Sequence, residues 1–210
     1  MALHTLEVGT GNIDTIVFIH GAALGGWMWR LQLGNLADIF HCLAPDLPGH
    51  GKSAGDYSFE SATLAVANLI RDKAHGGTAY VVGLSLGGLV AVNLIDKHPD
   101  LLHKVIVSAP PSGPVPGTGI LTVMMRFMLP LFKSDFVIRR TADQLKLPEQ
   151  DYENFRQSQK TVSADLLLTV AREVHAHRLP ESLHNATIPT LAVVGENEIA
   201  VNFRVVRDLV

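Results

Sequence analysis

The sequence predicts an α/β fold, a mostly parallel sheet flanked by helices with a helical insertion late in the chain. Three observations predict it. Continuous apolar runs such as Thr15-Ile16-Val17-Phe18-Ile19 read as strands buried on both faces, the habit of parallel sheets. Those runs alternate with segments of helical period as far as Ser108. From 110 to 188 no strand pattern appears, and then Thr190-Leu191-Ala192-Val193-Val194-Gly195 restores one.

The elements follow in order. Leu6 and Val8 alternate with polar neighbours before a Gly-Thr-Gly-Asn turn, the mark of an edge strand. The strand at 15–19 runs into His20-Gly21-Ala22-Ala23-Leu24-Gly25-Gly26, a loop of small residues whose backbone can approach a ligand closely. A helix is expected from Trp27 to about Phe40, weakest at Gly34, and a short strand at 41–45. Apolar Leu64, Ala67, Leu69 and Ile70 lie on helical spacing between Ser58, a candidate N-cap, and His75. A strand leads to Ser85, a helix runs over 86–97, and a strand follows at 104–108. Helical patterns at about 119–132, 135–145, 149–159 and 163–177 fill the insertion, separated by Ser-Asp, Leu-Pro and Thr-Val-Ser punctuation. A last helix begins at 201. The expected division is a core of 1–111 and 188–210 with a helical cap over 112–187.

Composition narrows the partners. The chain has 210 residues, 47% hydrophobic and 18% charged, enough for one domain with an insertion. A net charge of −3 gives no electrostatic reason to expect nucleic acid or an anionic membrane. Cys42 is the one cysteine and cannot form an internal disulfide, which fits a reducing compartment. The start Met1-Ala2-Leu3-His4-Thr5 lacks the basic, apolar pattern of a signal peptide. The most apolar segment, 120–129, contains Arg126 and is far short of the ~20 residues that span a bilayer. A cytoplasmic protein without a membrane span is expected.

The chemistry centres on Tyr80-Val81-Val82-Gly83-Leu84-Ser85-Leu86-Gly87-Gly88. This is a G-x-S-x-G string between a buried strand and a helix, the context of a nucleophile elbow. A serine at so tight a turn is held in strained backbone, and glycines at 83 and 87 avoid collisions with neighbouring backbone. The helix that follows points free N–H groups at the serine, where an anion would develop.

With this elbow, two further motifs fall in order: His20-Gly21 after a buried strand, and Asp46-Leu47-Pro48-Gly49-His50-Gly51-Lys52-Ser53. Together with Ile188-Pro189-Thr190-Leu191-Ala192-Val193-Val194-Gly195-Glu196-Asn197-Glu198, the chain resembles the α/β-hydrolase family over nearly its whole length. The resemblance implies a serine hydrolase. Ser85 would be the nucleophile, activated by a histidine that a carboxylate orients. Leu86 N–H would be one oxyanion donor, the second coming from the loop after His20-Gly21, Ala22 first and Ala23 next. The family acid falls at Glu198, since 108–119 holds no Asp or Glu. The family histidine lies after one more helix and strand, roughly 25 residues on. Only 12 residues follow Glu198, and no histidine follows His184. The expectation is therefore a family member cut off before its last strand, histidine and helix. Such a chain would be impaired in activity, and its exposed sheet edge would be open to self-association.

His20 and His50 suit loop-fixing roles. Gly51-Lys52-Ser53 is no phosphate loop, because Asp46 stands where that motif needs glycine. His175, His177 and His184 lack the companions of a metal site, so neither metal nor cofactor is expected. The cluster that includes Met124 and Met128 either lines an apolar substrate pocket or forms the insertion's own core. Of Trp27 and Trp29, one would border the pocket, with Ala23 and Trp27 taken as substrate contacts, and the other pack in the core. The expected substrate is a small to medium apolar ester or thioester. Within the fold, C–C bond hydrolysis or cofactor-free perhydrolysis is the alternative; outside catalysis, a binding module or fragment.

Overall fold

The computed structural model describes residues 2–111 and 131–196. Among these residues six strands form one sheet: β1 (Thr5–Val8), β2 (Thr15–Ile19), β3 (His41–Pro45), β4 (Ala79–Leu84), β5 (Leu102–Ser108) and β6 (Thr190–Val193), in the order β1-β3-β2-β4-β5-β6. β1 lies antiparallel on β3 at one edge, with Leu6 opposite Ala44, and every other pairing is parallel. The mostly parallel sheet is as the alternation predicted.

Strand periodicity divides the core. Val17 and Ile19 point to one face, where they meet Val81, Val105 and Val107 under the helices α2 (Phe59–Lys73) and α3 (Leu86–Lys97). Ile16 and Phe18 point to the other, against Trp29, Leu33 and the buried Cys42. The expected helix from Trp27 is split in two. A 3-10 turn covers Gly26–Trp29, and α1 (Arg30–Leu36) follows it. α2 begins at Ser58 as expected: the Ser58 hydroxyl accepts from Ser61 N–H, and the Ser61 hydroxyl accepts from Ser58 N–H, each at 2.9 Å. Leu64 is 50% exposed, contrary to its assignment to the apolar face. Ala67, Leu69 and Ile70 are buried as expected, and small residues, Ala62, Thr63, Ala65 and Val66, share the stripe where α2 packs on α3.

Between β5 and β6 lie three described helices, α4 (Asp135–Gln144), α5 (Tyr152–Thr161) and α6 (Ala164–Ala176). They match three of the four helical patterns read for this stretch. The pattern at 119–132 falls almost wholly outside the described residues. Ser134 caps α4 and Ser163 caps α6, each hydroxyl accepting from a first-turn N–H. Ile138, Ala142 and Phe155 form a small core of their own, and Leu24 and Trp27 pack against it from the loop after β2. No described helix is long and apolar enough to cross a membrane.

Candidate active site

The chain leaves β2 toward β3 on one side and returns to β4 on the other, so the strand order reverses between β2 and β4. In open α/β sheets the crevice beyond the carboxyl ends at such a point is the ligand site. Two segments emerge there together. Ile19 is in register with Gly83, and the next residues along are the loop from His20 and the serine at 85.

Ser85 is the hinge between β4 and α3. Its φ is 52° and ψ −114°, a left-handed conformation that a non-glycine residue adopts only under constraint. The constraint is visible: Ser85 N–H donates to Ser108 C=O at 2.8 Å, and Ser85 C=O accepts from Gly88 N–H at 2.9 Å. A Cβ on Gly83 would stand 2.2 Å from the carbonyl oxygen of Gly87, so the turn closes only around glycine. The side chain of Ser85 does not cap α3. Leu86 N–H, at the positive end of that helix, has no acceptor among the described residues. Across the crevice, a Cβ on Gly21 would be 3.6 Å from the Cβ of Ser85, so the loop after β2 runs in contact with the serine.

That loop is fixed at both ends. His20 is fully buried; its Nδ1 bonds the Gly21 carbonyl at 2.7 Å, and its Nε2 accepts from Leu47 N–H at 2.9 Å. These partners require the neutral ring with the proton on Nδ1. Burial, and then the neighbouring His50, push its pKa down to about 4. With both nitrogens engaged, His20 is not free to act as a base. At the far end Asp46, 6% exposed, accepts from Gly26 N–H at 2.7 Å and from Lys52 N–H at 2.9 Å, and meets His4 Nδ1 at 3.1 Å. The Asp-Leu-Pro-Gly turn is thus a staple between two loops, a role the sequence reading did not give to Asp46.

His50 bonds the Pro48 carbonyl through Nδ1 at 3.0 Å, while its buried Nε2 has no partner among the described residues. Its ring lies 5.1 Å from that of His20 and 5.6 Å from that of Tyr57, and burial lowers its pKa. No described histidine bonds the Ser85 hydroxyl. Trp29 packs in the core, 5.2 Å from Phe18. Trp27 turns outward, donates from Nε1 to Ser158 Oγ at 2.9 Å and packs edge-on against Phe155. Ala23 lines a cavity of about 290 Å³ with Val137, Ile138, Phe155, Gln159 and Val162. Trp27 does not line it. Glu198, Met124 and Met128 lie outside the described residues. Among the described residues no three His, Cys, Asp or Glu side chains are grouped to hold a metal.

The sequence pattern of the alpha/beta hydrolase family matches residues 16–201. The chain belongs to that family. This α/β hydrolase is similar to an esterase of Mycobacterium tuberculosis, 37% identical over 116 residues, which cover 53% of this chain and 38% of that one. Across its whole length it is similar to the pimeloyl-[acyl-carrier protein] methyl ester esterase of Vibrio cholerae, 28% identical, with 85% of that protein covered. It spans between 27% and 38% of the length of the first curated relatives it matches. Among solved structures, the enol-lactonase from Burkholderia xenovorans superposes with a TM-score of 0.74 at 22% identity, over 99% of this α/β hydrolase and 83% of that chain. At that identity the likeness shows the fold alone.

Proposed function

We propose that this α/β hydrolase is a serine esterase acting on small to medium apolar esters or thioesters. The observation that carries the reading is Ser85: a strained, left-handed serine at the switch point, with the Leu86 N–H beside it, which has no acceptor among the described residues, and the Ala22 loop in contact. In the proposed reaction Ser85 Oγ attacks the ester carbonyl carbon while its proton passes to a general base, a role that the family resemblance gives to a histidine oriented by Glu198 and that no described histidine is bonded to Ser85 to fill. The carbonyl oxygen takes the negative charge and lies between the N–H groups of Leu86 and Ala22. The intermediate collapses, the alcohol or thiol leaves with a proton, and water then hydrolyses the acyl-serine.

The apolar cavity beside Ala23 supports an apolar acyl group. The position of α4–α6, which follow β5 and wall that cavity, supports a cap over 112–187. The esterases among the relatives support ester chemistry. The test is labelling with a fluorophosphonate followed by peptide mass spectrometry, with ester hydrolysis measured in parallel. An adduct on Ser85 that Ser85→Ala abolishes is the expected result. An adduct on another serine, with Ser85 unmodified, would overturn the reading.

A further inference from the structure

Three polar side chains interrupt the otherwise apolar lining of the cavity beside Ala23: Lys133, Thr141 and Gln159. The apolar wall comes from all three cap helices, with Ile138 on α4, Phe155 on α5 and Leu167 on α6. Two of the polar groups are neutral and bonded within the protein. The Thr141 hydroxyl donates to the Val137 carbonyl at 2.9 Å. Gln159 Nε2 donates to the Ala23 carbonyl at 3.1 Å, which ties α5 to the loop after β2. Lys133 differs. Half-buried, it donates from Nζ to the Lys160 carbonyl at 2.9 Å, at the end of α5, and meets no carboxylate among the described residues. The nearest acid in the sequence, Asp135, is already paired with Arg156 at 2.8 Å and Lys160 at 3.2 Å. A carbonyl offers only a partial charge, so a full positive charge stands without a counter-charge at the wall of an apolar cavity.

Resting on the serine-esterase reading, we propose that Lys133 is a specificity-determining residue, and that the cavity takes acyl chains with an apolar body and a carboxylate at the far end. Neither Ser85 nor Leu86 lines the cavity. The reacting carbonyl therefore stays beside the serine, and only the acyl chain beyond it enters past Ala23. Such a chain buries its methylenes against the apolar wall and brings its end group to Lys133. A methyl end would strip water from the ammonium and give it no partner, whereas a carboxylate accepts a charge-assisted hydrogen bond. At about 290 Å³ the cavity is at the small end of ligand sites, which suits one unbranched chain. The substrate class is thus the half-esters and half-thioesters of medium-chain dicarboxylic acids. The reaction is the one already written, and the distal carboxylate takes no part in it.

The probes are two fluorophosphonates with n-alkyl chains of equal, medium length, one ending in methyl and the other in carboxylate. The reading is the ratio of their rates of Ser85 labelling in the full chain. In that step the Oγ–P bond forms, the P–F bond breaks and fluoride leaves, the serine proton passing to base or solvent. Wild type is expected to react about 5- to 10-fold faster with the acid-ended probe, the worth of one charge-assisted hydrogen bond at a partly exposed site. Lys133→Met keeps the apolar stem and should remove the preference. Lys133→Arg keeps the charge and should retain most of it. Lys146→Met removes an exposed lysine that does not line the cavity, so it changes the net charge equally and should keep the wild-type ratio. If Lys133→Met fails to fold, as judged by its thermal midpoint, wild type decides: the preference should shrink as salt is raised. Equal labelling of Ser85 by the two probes in wild type overturns the inference and leaves the nucleophile standing. So does a preference that survives in folded Lys133→Met, that Lys146→Met removes as fully, or that ignores salt. No labelling of Ser85 by either probe overturns the nucleophile, and this inference with it.

Discussion

Gly87 is packed directly on the backbone of Ile19: a Cβ at 87 would stand 2.3 Å from the Ile19 carbonyl oxygen and 2.7 Å from that of His20. The first turn of α3 therefore rests on the end of β2 with no room for a methyl group, and this contact brings the serine and the small-residue loop together. Both neighbouring groups are backbone, so neither can swing aside. Gly87→Ala is expected to destabilise the protein by about 2–3 kcal/mol, read from urea unfolding. The residual folded protein should label more slowly at Ser85. Wild-type stability in this variant would show that the elbow tolerates a wider spacing.

Asp46 should matter more than its place in a surface-like turn suggests. Its two oxygens satisfy the N–H groups of Gly26 and Lys52 within a buried setting. Asp46→Ala leaves both donors without partners, at a cost of about 2–4 kcal/mol. Asp46→Asn keeps one acceptor and should fall between. Unfolding curves for the three proteins test the ranking, and an Asn variant no better than Ala would contradict it.

The buried, neutral His20 predicts a pH dependence of stability. In the folded chain its pKa is about 4, whereas in the unfolded chain it returns to about 6.5. Between those values the unfolded state binds more protons, so stability falls as the pH is lowered. The contribution is complete above about pH 6.5 and is lost progressively toward pH 4, by up to about 1.4 kcal/mol per pH unit for one such group. His50 shifts in the same direction and adds to the slope. Urea unfolding at about pH 7 and pH 5 should show the loss, and His20→Gln should reduce it. Equal stability at the two pH values would argue that His20 keeps an ordinary pKa.

The frame of the site was legible in the sequence because its signals are local. The apolar run ending at Ile19, the glycines around Ser85 and the cap at Ser58 each act within a few residues, so spacing alone reveals them. Leu64 is exposed despite its helical spacing, because spacing marks which residues share a face without saying how closely a neighbour packs. On α2 alanines, Thr63 and Val66 share the buried stripe with Phe59, Leu69 and Ile70. The ties between α5 and the loop were not legible at all. Gln159 and Ser158 carry no periodicity, and their partners Ala23 and Trp27 are remote in the chain. Asp46 sits in a motif that was recognised, but its acceptor role depends on N–H groups that any sequence would supply.

The pairing of β5 with β6 has a consequence for how this protein can change. Val105 N–H donates to the Pro189 carbonyl at 3.0 Å, and Ala109 N–H donates to the Val193 carbonyl at 2.8 Å. The chain therefore leaves the sheet at the carboxyl end of β5 and rejoins it at the amino end of the adjacent, parallel β6. Whatever lies between can be lengthened, shortened or exchanged at little entropic cost to the sheet. Such a graft would be asymmetric in its effects. It would leave Ser85 in place, yet it would replace the cavity wall, the clamp on Ala23 and the contact of His177 with Asn93 on α3 in one stroke. Specificity and catalytic power would then drift together under insertion or recombination, and any graft would have to replace Val170 in the sheet core and the acceptor that Glu173 offers to Phe59 N–H.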